Sequence, residues 1–335
     1  MPMTLAGSWV QEGRPTLRPA LLAERSGTLF AAGMLGILAV SSVLSEAAAP
    51  NETPDERAGV SSPTPEHAGS ATRETFVAGY VAQPLYARSD VHMTRPDGTD
   101  LTLKALGWDG DALRFPIDGG VRAVSGAAPL SFMVDFLHNK AVARLGKGAH
   151  GRKLKNPVIE DVDTEGTLKG GPAPGRVKLT EVFDRLEFTH GHNVLLFTPL
   201  LRLANITPRI RPYLGVGAGF ALPHVEVWFP GEARDRRTSE YQFAGPAAQV
   251  VAGFEIRTGR MAYFIEYKFS YAWISAALSG DESWLNFDMP GDLLRQLQRR
   301  WRGEEPAFGR LGTTLAAHQI AVGAGYWLQG TRATP

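Results

Sequence analysis

MAYFIEYKFSYAWISAA, residues 261–277, decides the fold. Tyr263, Ile265, Tyr267, Phe269, Tyr271 and Trp273 recur at every second position, and Glu266, Lys268 and Ser270 fall between them. Side chains along a strand point alternately to opposite faces, so this spacing predicts a β-strand with one apolar face and one polar face. The same alternation recurs elsewhere. Leu195, Phe197, Leu201 and Leu203 oppose Thr198 and Arg202, and Phe132, Val134 and Phe136 oppose Asp135 and Asn139. Near the C-terminus, Ile320, Val322 and Tyr326 oppose Gln319, Gly323 and Gly325.

Working outward from this stretch, turn signals delimit strands near 74–89, 114–126, 130–145, 190–204, 211–229, 239–256, 261–277 and 313–328. Short connections (127–129, 205–210, 257–260) alternate with long ones (90–113, 146–189, 230–238, 278–312). Short turns at one end, long loops at the other and an even strand count are the pattern of a bacterial outer-membrane barrel. The expected fold is therefore all-β, an eight-stranded antiparallel up-and-down transmembrane β-barrel over 74–328.

The placement of charge favours lipid outside the wall. Arg122, Asp135, Arg202, Glu266 and Lys268 all fall on the face opposite the apolar rows. Lys or Arg facing the bilayer centre costs about 2–4 kcal/mol, so a barrel in lipid encloses its charges. A soluble lipocalin-like barrel would reverse the two faces. Eight strands leave room for side chains rather than a water channel, so the enclosed charges are expected to pair with one another.

The chain has 335 residues, with 35 Lys+Arg against 34 Asp+Glu, a balance that argues against a nucleic-acid partner. It contains no cysteine, which excludes disulfides, thiolate metal sites, a cysteine nucleophile and a lipoprotein anchor. Residues 28–44 (TLFAAGMLGILAVSSVL) carry no charge, follow Arg25 and precede Ala47, Ala48 and Ala49. That is the layout of a secretory signal, so 1–49 is read as a signal peptide and the mature chain as exported to the bacterial outer membrane. A single transmembrane anchor is the rival reading of this segment. Residues 50–73, rich in Pro, Ser, Thr and charge, lack the apolar surface needed to fold and are read as a disordered spacer.

Gly215, Gly217 and Gly219 share one face of the 211–229 strand and are expected to relieve crowding or to let the strand bend. A cofactor-binding glycine loop is rejected, because no helix follows and the spacing is wrong. Residues 290–302 suit a short amphipathic helix in the last long loop. Leu293, Leu294, Leu297 and Trp301 would share a face, surrounded by Arg295, Arg299, Arg300 and Arg302. It would lie on the membrane surface or be an ordinary solvated helix.

Four segments carry a resemblance to a known family. They are LSFMVDFLHNKAVA (130–143), RLEFTHGHNVLLFTPLLRL (185–203), RPYLGVGAGFALPHVEVW (211–228), and AGPAAQVVAGFEIR with MAYFIEYKFSY (244–271). Together they resemble the lipid A oxidase family, outer-membrane barrels of the opacity-type surface-protein group. The PYxGxGxG segment is shared widely among small barrels; the DFxHxK, LEFTxGHN and PHVEV segments are the more telling combination. The resemblance implies oxidation of the proximal glucosamine of lipid A to 2-aminogluconate, with molecular oxygen as co-substrate. Lipid A, lipopolysaccharide and outer-membrane lipids would be the partners.

The candidate chemistry lies on three histidine-bearing segments expected at one rim. His138, Glu187, His190 and His192 are the candidate catalytic residues, and Lys140, His224 and Glu226 the candidate substrate-binding ones, with Lys140 on a lipid A phosphate. His190, His192, His224 and Glu226 would together suit a divalent or redox metal, since imidazoles and carboxylates hold iron or copper. A histidine would otherwise act as a base on the sugar hydroxyl. The bland reading of each is an interfacial polar residue. The competing reading of the whole chain is a non-enzymatic barrel with a structural, adhesive or surface-binding role.

Overall fold

A computed structural model describes residues 73–283 and 288–328. The signal peptide read over 1–49 and the spacer read over 50–73, Arg73 apart, lie outside the described residues. From the start, β1 (Glu74–Tyr86), β2 (Ser89–Thr94), β3 (Asp100–Leu106) and β4 (Trp108–Asp109) lead to β5 (Gly119–Ala127) and β6 (Leu130–Ala143). Then come β7 (Lys147–Gly148), β8 (Arg152–Lys153), β9 (Asp161–Leu168), β10 (Gly171–Pro172), β11 (Arg176–Lys178) and the one-turn helix α1 (Leu179–Val182). The second half holds β12 (Arg185–Arg202), β13 (Ile210–Ala221), β14 (His224–Trp228), β15 (Thr238–Tyr241), β16 (Gly245–Thr258) and β17 (Met261–Ala277). Helix α2 (Met289–Trp301) and β18 (Arg310–Leu328) end the described chain.

The wall follows from antiparallel pairing of strands long enough to carry the alternation. Its order is β1-β5-β6-β12-β13-β16-β17-β18, and β18 pairs back onto β1. The ring therefore has no open edge. The faces sort as charge placement requires. On β17, Tyr263 and Ile265 are 52% and 51% exposed, whereas Glu266 and Lys268 between them are 1% and 0%. Leu201, Val216, Phe254 and Val322 continue the exposed row on neighbouring strands.

Inside the ring Arg122, Glu266, Lys268 and Asp135 form one network, and Arg202 and Glu255 form a further pair. Arg122 Nη1 donates to Glu266 Oε2 at 2.8 Å, and its guanidinium covers the Phe264 ring at 3.6 Å. Lys268 pairs with Asp135, which also accepts from the Tyr80 hydroxyl at 2.8 Å. The Tyr213 hydroxyl donates to Glu266 Oε2 at 2.9 Å. Arg202 lies 3.4 Å from Glu255. Each buried charge thus has an opposite partner.

The glycine row on β13 faces a crowded interior. A Cβ at Gly217 would sit 2.0 Å from Thr198 Oγ1, and one at Gly219 would sit 1.9 Å from the Leu195 carbonyl oxygen. The expectation of relieved crowding holds at these positions.

Several elements differ from their expected bounds. The wall strand expected at 190–204 begins at Arg185, because Leu186 and Glu187 pair with Val227 and Glu226 of β14. The strand expected over 211–229 breaks at Leu222 and Pro223 into β13 and β14, since proline cannot donate to a ladder. The strand expected over 239–256 divides likewise into β15 and β16. The connections at 90–113 and 146–189 are not plain loops: β2, β3 and β9 extend the sheet beyond β18, and β4 pairs with β6.

These additions build a cap on the end of the wall where β6 finishes and β12 starts. Burial records the transition. On β12 exposed and buried residues alternate from Arg202 to Leu195, whereas both faces are covered from Val194 to Leu186, His190 being half-buried. On β6 the alternation gives way to five buried residues, Asn139 to Ala143. Among the described residues, no helix is long and apolar enough to cross a membrane, which says nothing of strands.

Candidate functional site

The site forms where β12 leaves the alternating part of the wall. Glu187 of β12 pairs directly with Glu226 of β14, so the two carboxylates share one face of the sheet. Glu187 also pairs with Val142 of β6. Counting back along β6, Val142 shares a face with Phe132 and Leu130, which are exposed lower down. The carboxylates therefore sit on the outer side of the wall, above its exposed apolar rows, rather than over the lumen.

Around Glu226 the side chains converge. His190 Nδ1 lies 2.7 Å from Glu226 Oε1, the Thr189 hydroxyl donates to the same oxygen at 3.1 Å, and His224 Nδ1 is 3.5 Å away. Arg185 donates to Glu226 Oε2 at 2.6 Å, lies 3.2 Å from Glu187, and stacks on Trp228 at 3.9 Å. The His190 ring centroid is 4.5 Å from that of His150 and 4.7 Å from that of His224. Ligand atoms of His150, His190 and Glu226 all lie within 4.8 Å of one another. The Tyr241 hydroxyl donates to the His190 carbonyl at 2.9 Å, fixing the strand behind the ring. A cavity of about 570 Å³ opens here, lined by Arg185, His190, Glu226, Trp228, Ser239 and Ser283 among others.

Protonation follows from this packing. Burial, and then the charge of Glu226, push the Glu187 carboxyl up to about 8. Burial also favours the neutral acid at Glu226, but the His190 hydrogen bond and the His224 imidazole outweigh it and hold Glu226 well below the usual carboxylate range. Two carboxylates side by side thus keep one proton, on Glu187, and one negative charge, on Glu226. Burial pushes the His150 imidazole down to about 4 and lowers His224 as well. Both rings are therefore neutral near pH 7, the form that ligates metal.

Of the residues expected from the sequence, His190, His224, Glu226 and Glu187 come together. His192 does not join them. Gly191 takes a φ of +129°, and the β12–β6 register shifts between Phe188 and His192. His192 instead pairs across from Asn139 and is hydrogen-bonded to the Tyr86 hydroxyl at 3.3 Å. His138 bonds Asn193 Oδ1 at 2.8 Å, away from Glu226. Lys140 is fully buried and ion-paired with Asp118, so it does not reach out to a phosphate. In its place stands a residue the sequence reading missed: His150, delivered by a turn in which it adopts a φ of +57°. Arg185 and Thr189 were missed too, although they flank the expected residues in the RLEFTHGHN segment.

No family model matches the chain, and no curated protein matches it. Among solved structures it is similar to Ail, the attachment invasion locus protein of Yersinia pestis, in complex with the heparin analogue sucrose octasulfate. That likeness has 11% identity and a TM-score of 0.28, and covers 77% of this chain and 99% of that one. A superposition this loose says nothing about activity.

Proposed function

We propose that this chain is an eight-stranded outer-membrane β-barrel that modifies lipid of the outer leaflet, and that its substrate is lipid A. The observation that carries the reading is the position of the His150–His190–His224–Glu226 cluster. It lies on the outer side of the wall, just past a belt of exposed Tyr, Ile, Phe and Val. Such a belt is stable in hydrocarbon, while the charges it would otherwise expose are paired inside. Headgroups of the outer leaflet would lie level with the cavity.

The donor set suits a divalent or redox metal. Three imidazoles and one carboxylate converge, two of the rings are held neutral, and among the described residues His224 Nδ1 is buried without a hydrogen bond. His150, His190, His224 and Glu226 would hold the ion. A bound redox metal would supply the coupling to dioxygen that spin restriction otherwise slows. The protein's own part is in proton handling and binding. Glu226 accepts from His190 Nδ1, which places the ring's lone pair on Nε2. That nitrogen would ligate the ion or, with the ion held by the other donors, accept a hydroxyl proton from a sugar in the cavity; one lone pair serves only one of these roles. Arg185, braced on Trp228, pairs with Glu226 and offers positive charge to an anionic headgroup.

For lipid A the reaction balances as a two-electron oxidation at the free anomeric carbon of the proximal glucosamine. Its C1–H and O–H hydrogens go to dioxygen, giving peroxide and a lactone that water opens to 2-aminogluconate. Weighing lipid A from cells carrying the wild-type chain or Glu226→Gln tests the proposal. A 2-aminogluconate species present with the first and lost with the second, at equal amounts of folded barrel in the outer membrane, is expected. Identical lipid A in both would leave the competing non-enzymatic, surface-binding role, which the Arg185 and Arg234 side chains lining the cavity would serve.

A further inference from the structure

Helix α2 is seated the wrong way round for a helix in water. Its buried side is polar. Asp292 accepts from the Tyr241 backbone N–H at 2.8 Å, Gln296 accepts from the Phe243 N–H at 2.7 Å, and Arg299 donates to Glu240 at 2.9 Å. At 100° per residue these three positions cluster on one side of the helix. Directly opposite lie Leu294, Leu297 and Trp301, which are 56%, 60% and 91% exposed. A surface helix normally buries its apolar stripe and wets its polar one; here the protein has taken the polar stripe and left the apolar one outward.

Two further observations say what covers that stripe. The first is continuity. The segment on which α2 sits includes Phe243, whose ring lies 5.2 Å from Phe220, a residue of the exposed apolar belt that is itself 44% exposed. Arg300 donates to the Phe243 carbonyl at 3.3 Å, so helix and belt meet at one residue. The second is charge. Arg300 and Arg302 flank the stripe on the exposed surface, and Arg302 lies 3.5 Å from Glu304.

We propose that α2 is an interfacial anchor: its Leu294–Leu297–Trp301 stripe inserts into the outer leaflet, and its arginines hold anionic lipid headgroups. The proposal rests on the membrane reading of the wall. It goes further by making the cap, and not only the wall, a lipid-binding surface beside the cavity. The anchor also touches the site. Asp292 bonds the Ser283 hydroxyl, and Ser283 Oγ lies 3.5 Å from His224 Nε2. A headgroup drawn to α2 is therefore delivered next to the histidine cluster.

The chain has no cysteine, so single cysteines can be labelled cleanly. Full-length Leu297→Cys, Val322→Cys on the belt and Lys153→Cys on the cap would each carry an environment-sensitive fluorophore. The proteins would be reconstituted in vesicles of phosphatidylethanolamine with phosphatidylglycerol. Iodide quenching at Leu297→Cys is expected to fall several-fold below that at Lys153→Cys and to approach that at Val322→Cys. Replacing phosphatidylglycerol by phosphatidylcholine is expected to restore part of the quenching; indifference to that exchange would overturn the role of the arginines. A shielded Val322→Cys with Leu297→Cys as accessible as Lys153→Cys would overturn the anchor and leave the membrane wall standing. An accessible Val322→Cys would overturn both. Shielding at Leu297→Cys that vanishes on dilution into excess lipid would mean a second copy of the chain covers the stripe, which also overturns the proposal.

Discussion

Substituting Ile265 by Lys asks directly which medium touches the wall. Ile265 is half-exposed, the fifth of the 17 residues of β17, between Tyr263 and Tyr267 on the same face. Its cross-strand partners are Phe254 on β16 and Val322 on β18, both exposed and apolar. In water the substitution would replace one exposed aliphatic side chain with a soluble one, and stability would stay within about 0.5 kcal/mol. In a bilayer the ammonium must snorkel or remain in hydrocarbon, at about 2–4 kcal/mol near the midplane. Reversible urea unfolding in phosphatidylcholine vesicles, with unchanged dependence on denaturant, reads this difference. Val158→Lys on the exposed cap is the control expected to change nothing. One position along, the rule inverts. Glu266→Leu would add apolar surface yet leave Arg122, 2.8 Å from the lost carboxylate, enclosed without its partner, a loss of about 3–5 kcal/mol. Ile265→Lys as stable in vesicles as the wild type, or Glu266→Leu as the more stable variant, would refute the arrangement of faces.

Gly219→Ala should prevent normal assembly of the wall, because the added Cβ meets the Leu195 carbonyl at 1.9 Å across the β12–β13 ladder; a normal gel-shift of the folded form would contradict this. The Glu187 proton should tune the stability of the cap. Its carboxyl titrates near the ordinary 4.5 in the unfolded chain but near 8 when folded, so the stabilisation is full below 4.5 and is lost as pH rises through about 8. In the presence of a chelator, the protection factors of the β12–β14 amides, which remove the intrinsic pH dependence of exchange, should fall across that window in the wild type but not in Glu187→Gln.

Much of the wall was legible because its strands are long and one-sided. In β17 the positions expected to share the apolar face are the exposed ones, and Glu266 and Lys268 are enclosed as the alternation demanded. The cap was not legible. Its strands are short, as with Ser89–Thr94, Asp100–Leu106 and Asp161–Leu168, and a few alternating residues do not stand out from loop sequence. The site was half legible for a related reason. His190 and His192 read as one face because residues i and i+2 share a face in a regular strand. The positive φ of Gly191 and the register shift around it break that parity and send the two rings to different neighbours. His150 carries no periodic signal at all, since a left-handed turn delivers it from a segment distant in sequence.

The electrostatics of β12 and β14 argue that the cluster exists for something other than holding the cap on. Immediately beside the Glu187–Glu226 pair, Leu186 faces Val227, and both side chains are fully buried. That apolar pair is the arrangement a purely structural join would use throughout. Two like-charged residues directly opposite one another destabilise a ladder. Here they are tolerated only because Arg185 bridges them and Glu187 keeps its proton. Accepting such a conflict at one rung while avoiding it at the next is what the chemistry proposed for this site would require. The conflict is confined to the stretch where β12 has left the exposed belt, which, on the proposed membrane reading, is the level of a lipid's sugar and phosphate rather than its chains.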